Sequence, residues 1–343
     1  MNAIKTVGIV SLSCGMVGES YMGTLRELGE ARLESMGLRV KYMPNALRGM
    51  DYLGAHPEAR AADLLSAYRD PEVDLILCDI GGDDTYRLLP YLFEHGELES
   101  AVNDKPFLGF SDTTINHFMI QKAGGRCFYG QSFITELCEM SEDMLPYSRH
   151  YFEELVRKGT IQGITPSDVW YEDRTDYTDA QLGVPLVSHP DRGFELLQGS
   201  GAFSGEIMGG CLESIYDLLE GRWHKDMPEM CAKYGIFPPL DQWRGRILLL
   251  ETSELKIEPA FFAQILFRIK KTGIFDAVSG IIFGKPMDEA YDDDYKRLLC
   301  GVVGNPGLPI VCNINVGHAM PRCVIPLGVP AAVDAELEMI GFY

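Results

Sequence analysis

Ser111, His318 and Glu251 are of the types that together carry out acyl transfer. A serine hydroxyl near its free pKa is a weak nucleophile, so it needs a base to take its proton and a carboxylate to orient that base. Ser111 stands in Gly109-Phe110-Ser111-Asp112-Thr113, between a short apolar run and a stretch in which Ile115, Phe118, Met119 and Ile120 recur at helical spacing. A strand, a sharp turn and a helix lift a hydroxyl off a sheet while the first helical amides stay free to face an oxyanion. The esterase elbow Gly-x-Ser-x-Gly is matched only in part, because Thr113 stands where its second glycine would be. Ser111 therefore has two readings: a helix N-cap with Asp112 in the first turn, or a nucleophile.

The same test sorts the seven histidines. His56, His95, His150, His189 and His224 have polar or proline-flanked surroundings typical of a surface, and His117 falls inside the helix after Ser111. His318 alone follows an apolar run, 309–314, and a glycine. Glu251 ends the run 247–250, where a carboxylate is costly unless a group such as an imidazole N–H compensates it. A solvent-exposed acid at a strand end is the other reading, and Glu254 is a rival for the orienting role. Gly81-Gly82 closes the apolar run 73–78, and a glycine pair lets the backbone approach a ligand and aim an amide at it. The alternative there is a plain turn with Asp83 or Asp84 capping the next helix. No Gly-x-Gly-x-x-Gly accompanies it, so a dinucleotide fingerprint is excluded.

The elements that must position these residues follow from periodicity. Strands over 6–12, 38–43, 73–78 and 106–110 alternate with helices that run to about residue 36, over 57–68, and through Leu88, Leu89 and Leu92. Such alternation implies a parallel sheet flanked by helices, with ligand loops at the carboxyl ends of the strands. Beyond Tyr129-Gly130-Gln131-Ser132 the alternation weakens, which predicts one α/β domain over 1–150, a linker over 151–164 and a second domain over 165–343. In the second, 165–202 reads as an irregular loop around Trp170, either a core residue or a wall for a flat ligand. Residues 205–221 read as a turn into a helix closed by Gly221. Strands over 246–250, 277–283 and 309–314 and helices over 258–271 and 293–303 complete a mixed α/β domain, with short strands from Val324.

Composition narrows the function classes. A chain of 343 residues with 46% hydrophobic and 23% charged residues can build a large core, and a net charge of −20 repels nucleic acid and anionic membranes. Nine cysteines, an odd number without Cys-x-x-Cys, suit buried thiols in a reducing compartment. The run 7–12 is too short and interrupted for an export signal, and nothing approaches the ~20 apolar residues of a membrane span, so a cytoplasmic protein is expected. Asp292-Asp293-Asp294 reads as a solvated helix start, and neither a metal nor a cofactor is expected.

Taken together, Gly81-Gly82 with Arg87-Leu88-Leu89-Pro90-Tyr91-Leu92, Gly109-Phe110-Ser111-Asp112-Thr113-Thr114, Gly209-Gly210-Cys211-Leu212-Glu213, Leu250-Glu251 and Gly317-His318 resemble the serine LD-carboxypeptidase family. The resemblance implies a flavodoxin- or glutamine-amidotransferase-like parallel domain followed by a swivelling mixed-sheet domain, usually as a homodimer. It further implies a Ser-His-Glu triad of Ser111, His318 and Glu251 split between the domains, with the amides of Gly82 and Asp112 as oxyanion hole and Gly81 beside them. Gly-Gly-Cys-Leu-Glu and Trp170-Tyr171-Glu172-Asp173 look more like the microcin-immunity branch than the peptidoglycan-recycling branch. There the loop tryptophan stacks on the nucleobase of a peptidyl- or aminoacyl-nucleotide, which gives Trp170 a substrate role. The alternatives are a murein tetrapeptide LD-carboxypeptidase that releases terminal D-alanine, and a non-catalytic two-domain protein that binds a small ligand.

Overall fold

The computed structural model describes residues 4–343. Five short strands, β1 (Thr6–Val10), β2 (Arg39–Tyr42), β3 (Leu75–Cys78), β4 (Pro106–Gly109) and β5 (Arg126–Tyr129), form the front sheet in the order 2-1-3-4-5. All of their pairings are parallel. Every residue of β1, β3 and β4 is buried, as expected when helices cover both faces of a parallel sheet. The helices Gly23–Ser35, Pro57–Arg69 and Thr113–Lys122 are among those that cover it.

The rear lobe holds β6 (Gly163–Ile164), the two-stranded ribbon β7 (Val169–Tyr171) and β8 (Ser188–Pro190), then β9 (Glu195–Gln198) and β10 (Ala202–Cys211). It continues with β11 (Ile247–Glu251), β12 (Gly280–Gly284), β13 (Ile310–Ile314), β15 (Pro330–Asp334) and β16 (Met339–Phe342). Its eight-stranded sheet has the order 6-16-15-10-11-12-13-9, parallel from β10 to β13 and antiparallel at both flanks. The one strand between, β14 (Ile325–Leu327), leaves this lobe and pairs antiparallel with β5, so the front sheet ends on a strand from the rear of the chain.

The boundaries expected from the sequence shift in several places. The stretch 151–164, expected as a linker, contains the second half of the helix Pro146–Lys158 and all of β6. Residues 205–211 are not a turn but the second part of β10, and their glycines masked a strand that runs between β15 and β11. The loop expected over 165–202 carries β7, β8 and β9, of which β9 closes one edge of the rear sheet. The helix expected to run to about residue 36 spans Gly23–Ser35 and is preceded by two 3₁₀ turns. All nine cysteines are free thiols, seven of them buried.

Candidate active site

The turn after β4 places Ser111 at φ 65°, a left-handed conformation that a non-glycine residue adopts at a cost of ~1–3 kcal/mol unless its surroundings enforce it. Enforcement comes from both sides. The Ser111 amide donates to the Tyr129 hydroxyl (3.2 Å), and the helix Thr113–Lys122 starts at once, with the Thr113 amide on Phe110 O and that of Thr114 on Ser111 O. Asp112, not Ser111, occupies the N-cap position, and no side chain caps the helix, so the capping reading of Ser111 does not hold. Among the described residues the Ser111 hydroxyl has no hydrogen-bond partner. Gly81 lies against it: a Cβ there would come within 2.9 Å of Ser111 Oγ, which only glycine avoids.

Three turns at the carboxyl ends of the front strands are tied together beneath this point. The Ser13 hydroxyl, after β1, donates to Asp112 Oδ2 (2.7 Å), and the Thr85 amide, after β3, donates to the same oxygen (3.0 Å). Burial pushes the Asp112 carboxyl up to about 6 against these donors. Asp84 caps nothing through its side chain and instead pairs with the buried Arg60 (2.5 and 3.1 Å). The backbone amides of Gly82 and Asp112 find no acceptor among the described residues, which leaves two donors beside Ser111 free for an oxyanion.

His318 and Glu251 reach this point from the rear lobe. Glu251 ends β11 fully buried, and its two oxygens are both engaged: Oε2 faces His318 Nδ1 (2.8 Å), while Oε1 accepts from the Tyr129 hydroxyl (2.5 Å). Gly317 makes the approach feasible, since a Cβ on it would lie 2.4 Å from Glu251 Oε2. His318 also packs edge-on against Phe110, the residue before Ser111, at 5.0 Å between ring centres. Its second nitrogen, Nε2, faces Glu254 Oε2 at 3.2 Å. Burial alone would lower the His318 pKa, but Glu251 and then Glu254 outweigh it, and the imidazolium is favoured above its ordinary range.

The orienting and rival carboxylates thus sit on opposite nitrogens of one ring. Ser111, His318, Gly81 and Gly82 all line one cavity of about 1150 Å³. Trp170 lies outside that cavity: it is buried, stacked on His189 at 4.5 Å, with Lys285 Nζ 5.6 Å from the ring centre. The Tyr171 amide, bonded to Met320 O (2.9 Å), holds the ribbon in that position, and Tyr177 rather than Trp170 is the loop aromatic that faces the cavity.

Two site residues escaped the sequence reading. Tyr129 bridges the lobes, bonded to both the Ser111 amide and Glu251, and its place at the end of an apolar strand was its only signal. Arg322 donates from Nε to Gly317 O (2.5 Å), from Nη2 to His318 O (2.6 Å) and from Nη1 to Glu136 Oε1 (2.6 Å), so it clamps the histidine loop to the front lobe. Asp292, Asp293 and Asp294 form the first turn of the helix Asp292–Val303.

With this geometry in place, comparison with known proteins is informative. Residues 7–130 match the model of the LD-carboxypeptidase N-terminal domain, and residues 204–333 match that of its C-terminal domain. The chain belongs to the LD-carboxypeptidase family. It is a serine-type carboxypeptidase or related hydrolase, built on the two-lobed α/β fold of that family. The microcin C7 self-immunity protein MccF of Escherichia coli is 26% identical over 289 residues, 82% of this chain and 77% of that protein. The probable murein peptide carboxypeptidase of Bacillus subtilis is 25% identical over 311 residues, 88% and 82% of the two chains. Among solved structures, an MccF-like protein from Streptococcus pneumoniae in complex with AMP is 52% identical, covers 99% of each chain and superposes with a TM-score of 0.98.

Proposed function

We propose that this LD-carboxypeptidase family member hydrolyses the amide bond of a peptidyl- or aminoacyl-nucleotide through Ser111, His318 and Glu251. The observation that carries the reading is the buried Glu251–His318 pair (2.8 Å) brought, across the lobe boundary, into one cavity with a serine at positive φ. Ser111 Oγ attacks the carbonyl carbon while His318 Nε2 takes its proton; the new oxyanion receives the amides of Gly82 and Asp112. As the intermediate collapses, His318 returns that proton to the leaving nitrogen and an acyl-Ser111 ester remains. Water then attacks the ester, gives a proton to His318 and releases the acid with Ser111 restored. Glu251 keeps the Nδ1 proton in place throughout.

The nucleotide is supported by the 52% identical relative that holds AMP. A murein tetrapeptide with a terminal D-alanine is the second reading, supported by the Bacillus subtilis relative. We further propose a cytoplasmic homodimer in which residues 1–150 present the nucleophile and 165–343 the base and its carboxylate; nine unpaired thiols suit a reducing compartment. Turnover of an aminoacyl sulfamoyl adenosine against a murein tetrapeptide separates the two substrates, and sedimentation tests the dimer. Ser111→Ala is expected to abolish turnover with the melting temperature retained, and a fluorophosphonate is expected to label Ser111. An unlabelled serine would favour a ligand-binding protein without catalysis.

A further inference from the structure

His318 lies between two carboxylates of opposite character. Glu251 is fully buried and fixed by Tyr129 as well as by the imidazole. Glu254, on Nε2, is 58% exposed, lines the cavity, and has no other partner among the described residues. Glu251 holds Nδ1 by a hydrogen bond, whereas Glu254 faces Nε2 as an ion pair and acts on the ring through its charge; two carboxylates beside one imidazole favour the imidazolium. A ring in that state has no lone pair with which to take the Ser111 proton. In this arrangement the charge of Glu254, 3.2 Å from Nε2, favours the form of the ring that cannot serve Ser111, until something compensates that carboxylate.

The charges in the cavity indicate what would do so. Its two arginines are committed: Arg174 to Glu139 (2.9 Å) and to Val184 O, Arg322 to Glu136 and to the histidine loop. Glu27, Asp173, Asp179 and Glu254 also line it, so the charge left uncompensated there is negative and attracts a cation. An ammonium on the carbon next to a carbonyl lies about 2.5 Å from the carbonyl carbon, from standard backbone dimensions. A carboxylate 3.2 Å from the nitrogen that serves that carbon is in range of it.

We propose that Glu254 is a specificity-determining residue that selects acyl groups bearing a free ammonium beside the scissile carbonyl, and that the ammonium, by taking Glu254, releases His318 Nε2 to Ser111. Substrate recognition and activation of the base are then one event. An N-acylated acyl group lacks the cation, leaves Glu254 in place and is turned over slowly. The inference rests on the assignment of Ser111 and His318 above.

The test pairs an aminoacyl sulfamoyl adenosine with its N-acetyl derivative, on the full chain and on Glu254→Gln and Glu254→Asp. Wild type is expected to prefer the free amine by about ten- to a hundred-fold in kcat/KM, the range of a hydrogen bond between charged groups. Glu254→Gln should bring that preference close to one, with turnover of the N-acetyl derivative raised because its base is no longer held off and turnover of the free amine lowered because its cation has lost its partner, and Glu254→Asp should restore part of the preference. A fluorophosphonate, which carries no ammonium, should label Ser111 faster in Glu254→Gln than in wild type. A preference that persists in Glu254→Gln, a wild type without preference, or an equal loss on both substrates with unchanged labelling overturns the proposal. Wild type that neither labels at Ser111 nor depends on it refutes the catalytic assignment itself and takes the inference with it.

Discussion

Glu251 is saturated by two donors from different lobes, so its environment tolerates no loss of either. Removal of the Tyr129 hydroxyl leaves a buried carboxylate oxygen without a donor, and such a deletion typically costs about 1–3 kcal/mol. Tyr129→Phe should therefore melt several degrees lower and lose turnover, with the greater part of the loss in kcat because the Ser111 turn loses its acceptor too; an unchanged melting temperature would contradict this. The charged groups around the His318 ring are Glu251, Glu254, Glu213 and Arg322; the net effect favours the imidazolium. Catalysis needs the neutral ring, so the acid limb of kcat/KM should lie above pH 6.5, the ordinary value for histidine, and Glu254→Gln should move it to lower pH. For stability the sign is opposite: with the folded pKa raised, the contribution is complete below pH 6.5 and fades as pH rises through the folded value. Ser111, Glu251 and His318 stood out as candidates in the sequence because each ends or closely follows an apolar strand, where a polar side chain needs a reason. Tyr129 did not, because its partner lies 122 residues away and an aromatic at a strand end reads as core.

At the level of elements, the loop after β13 carries the histidine, and the Arg322 side chain ties that histidine's backbone to the front lobe. The pair Arg322–Glu136 is nearly fully buried, and deletion of one partner of such a pair typically costs about 3–5 kcal/mol because the other charge is left stranded. Glu136→Gln should accordingly lower stability sharply. Arg322→Lys keeps the charge but cannot span three acceptors at once, so it should lose kcat by tenfold or more with a smaller change in KM, as expected when a base is misplaced rather than a substrate lost. Equal changes in both constants would contradict the clamp. Strand β10 shows where pattern reading fails. Gly209 and Gly210 suggested a turn, yet Gly210 abuts Thr114 and Tyr129 so closely that no side chain fits, and the Cys211 amide reaches Thr114 Oγ1 at 3.0 Å. The demand for space came from the other lobe, and nothing local announced it.

Across the whole molecule, the two lobes share one apolar core and exchange polar contacts such as Tyr86 to Asp226 (2.7 Å). All three tryptophans, Trp170, Trp223 and Trp243, lie in the rear half, whereas backbone dichroism reports on both. Melting curves followed by tryptophan fluorescence and by far-ultraviolet dichroism should nevertheless coincide; two separated midpoints would show that the lobes unfold independently. The alternation of strands and helices was enough to expect a parallel front sheet with β1 to β4, whereas β5 (Arg126–Tyr129) fell where that alternation weakened. The return of β14 to the edge of that sheet could not be expected, because a three-residue strand has no periodicity and its partner lies almost 200 residues earlier.

That return strand has a consequence during synthesis. Ser111, the proposed nucleophile, leaves the ribosome about 200 residues ahead of His318, its proposed base, and of Leu327, which completes the border of its sheet. On the proposed mechanism, a chain that stops short of His318 carries that serine without the means to activate it, and hydrolytic capacity arises only once both lobes have been made.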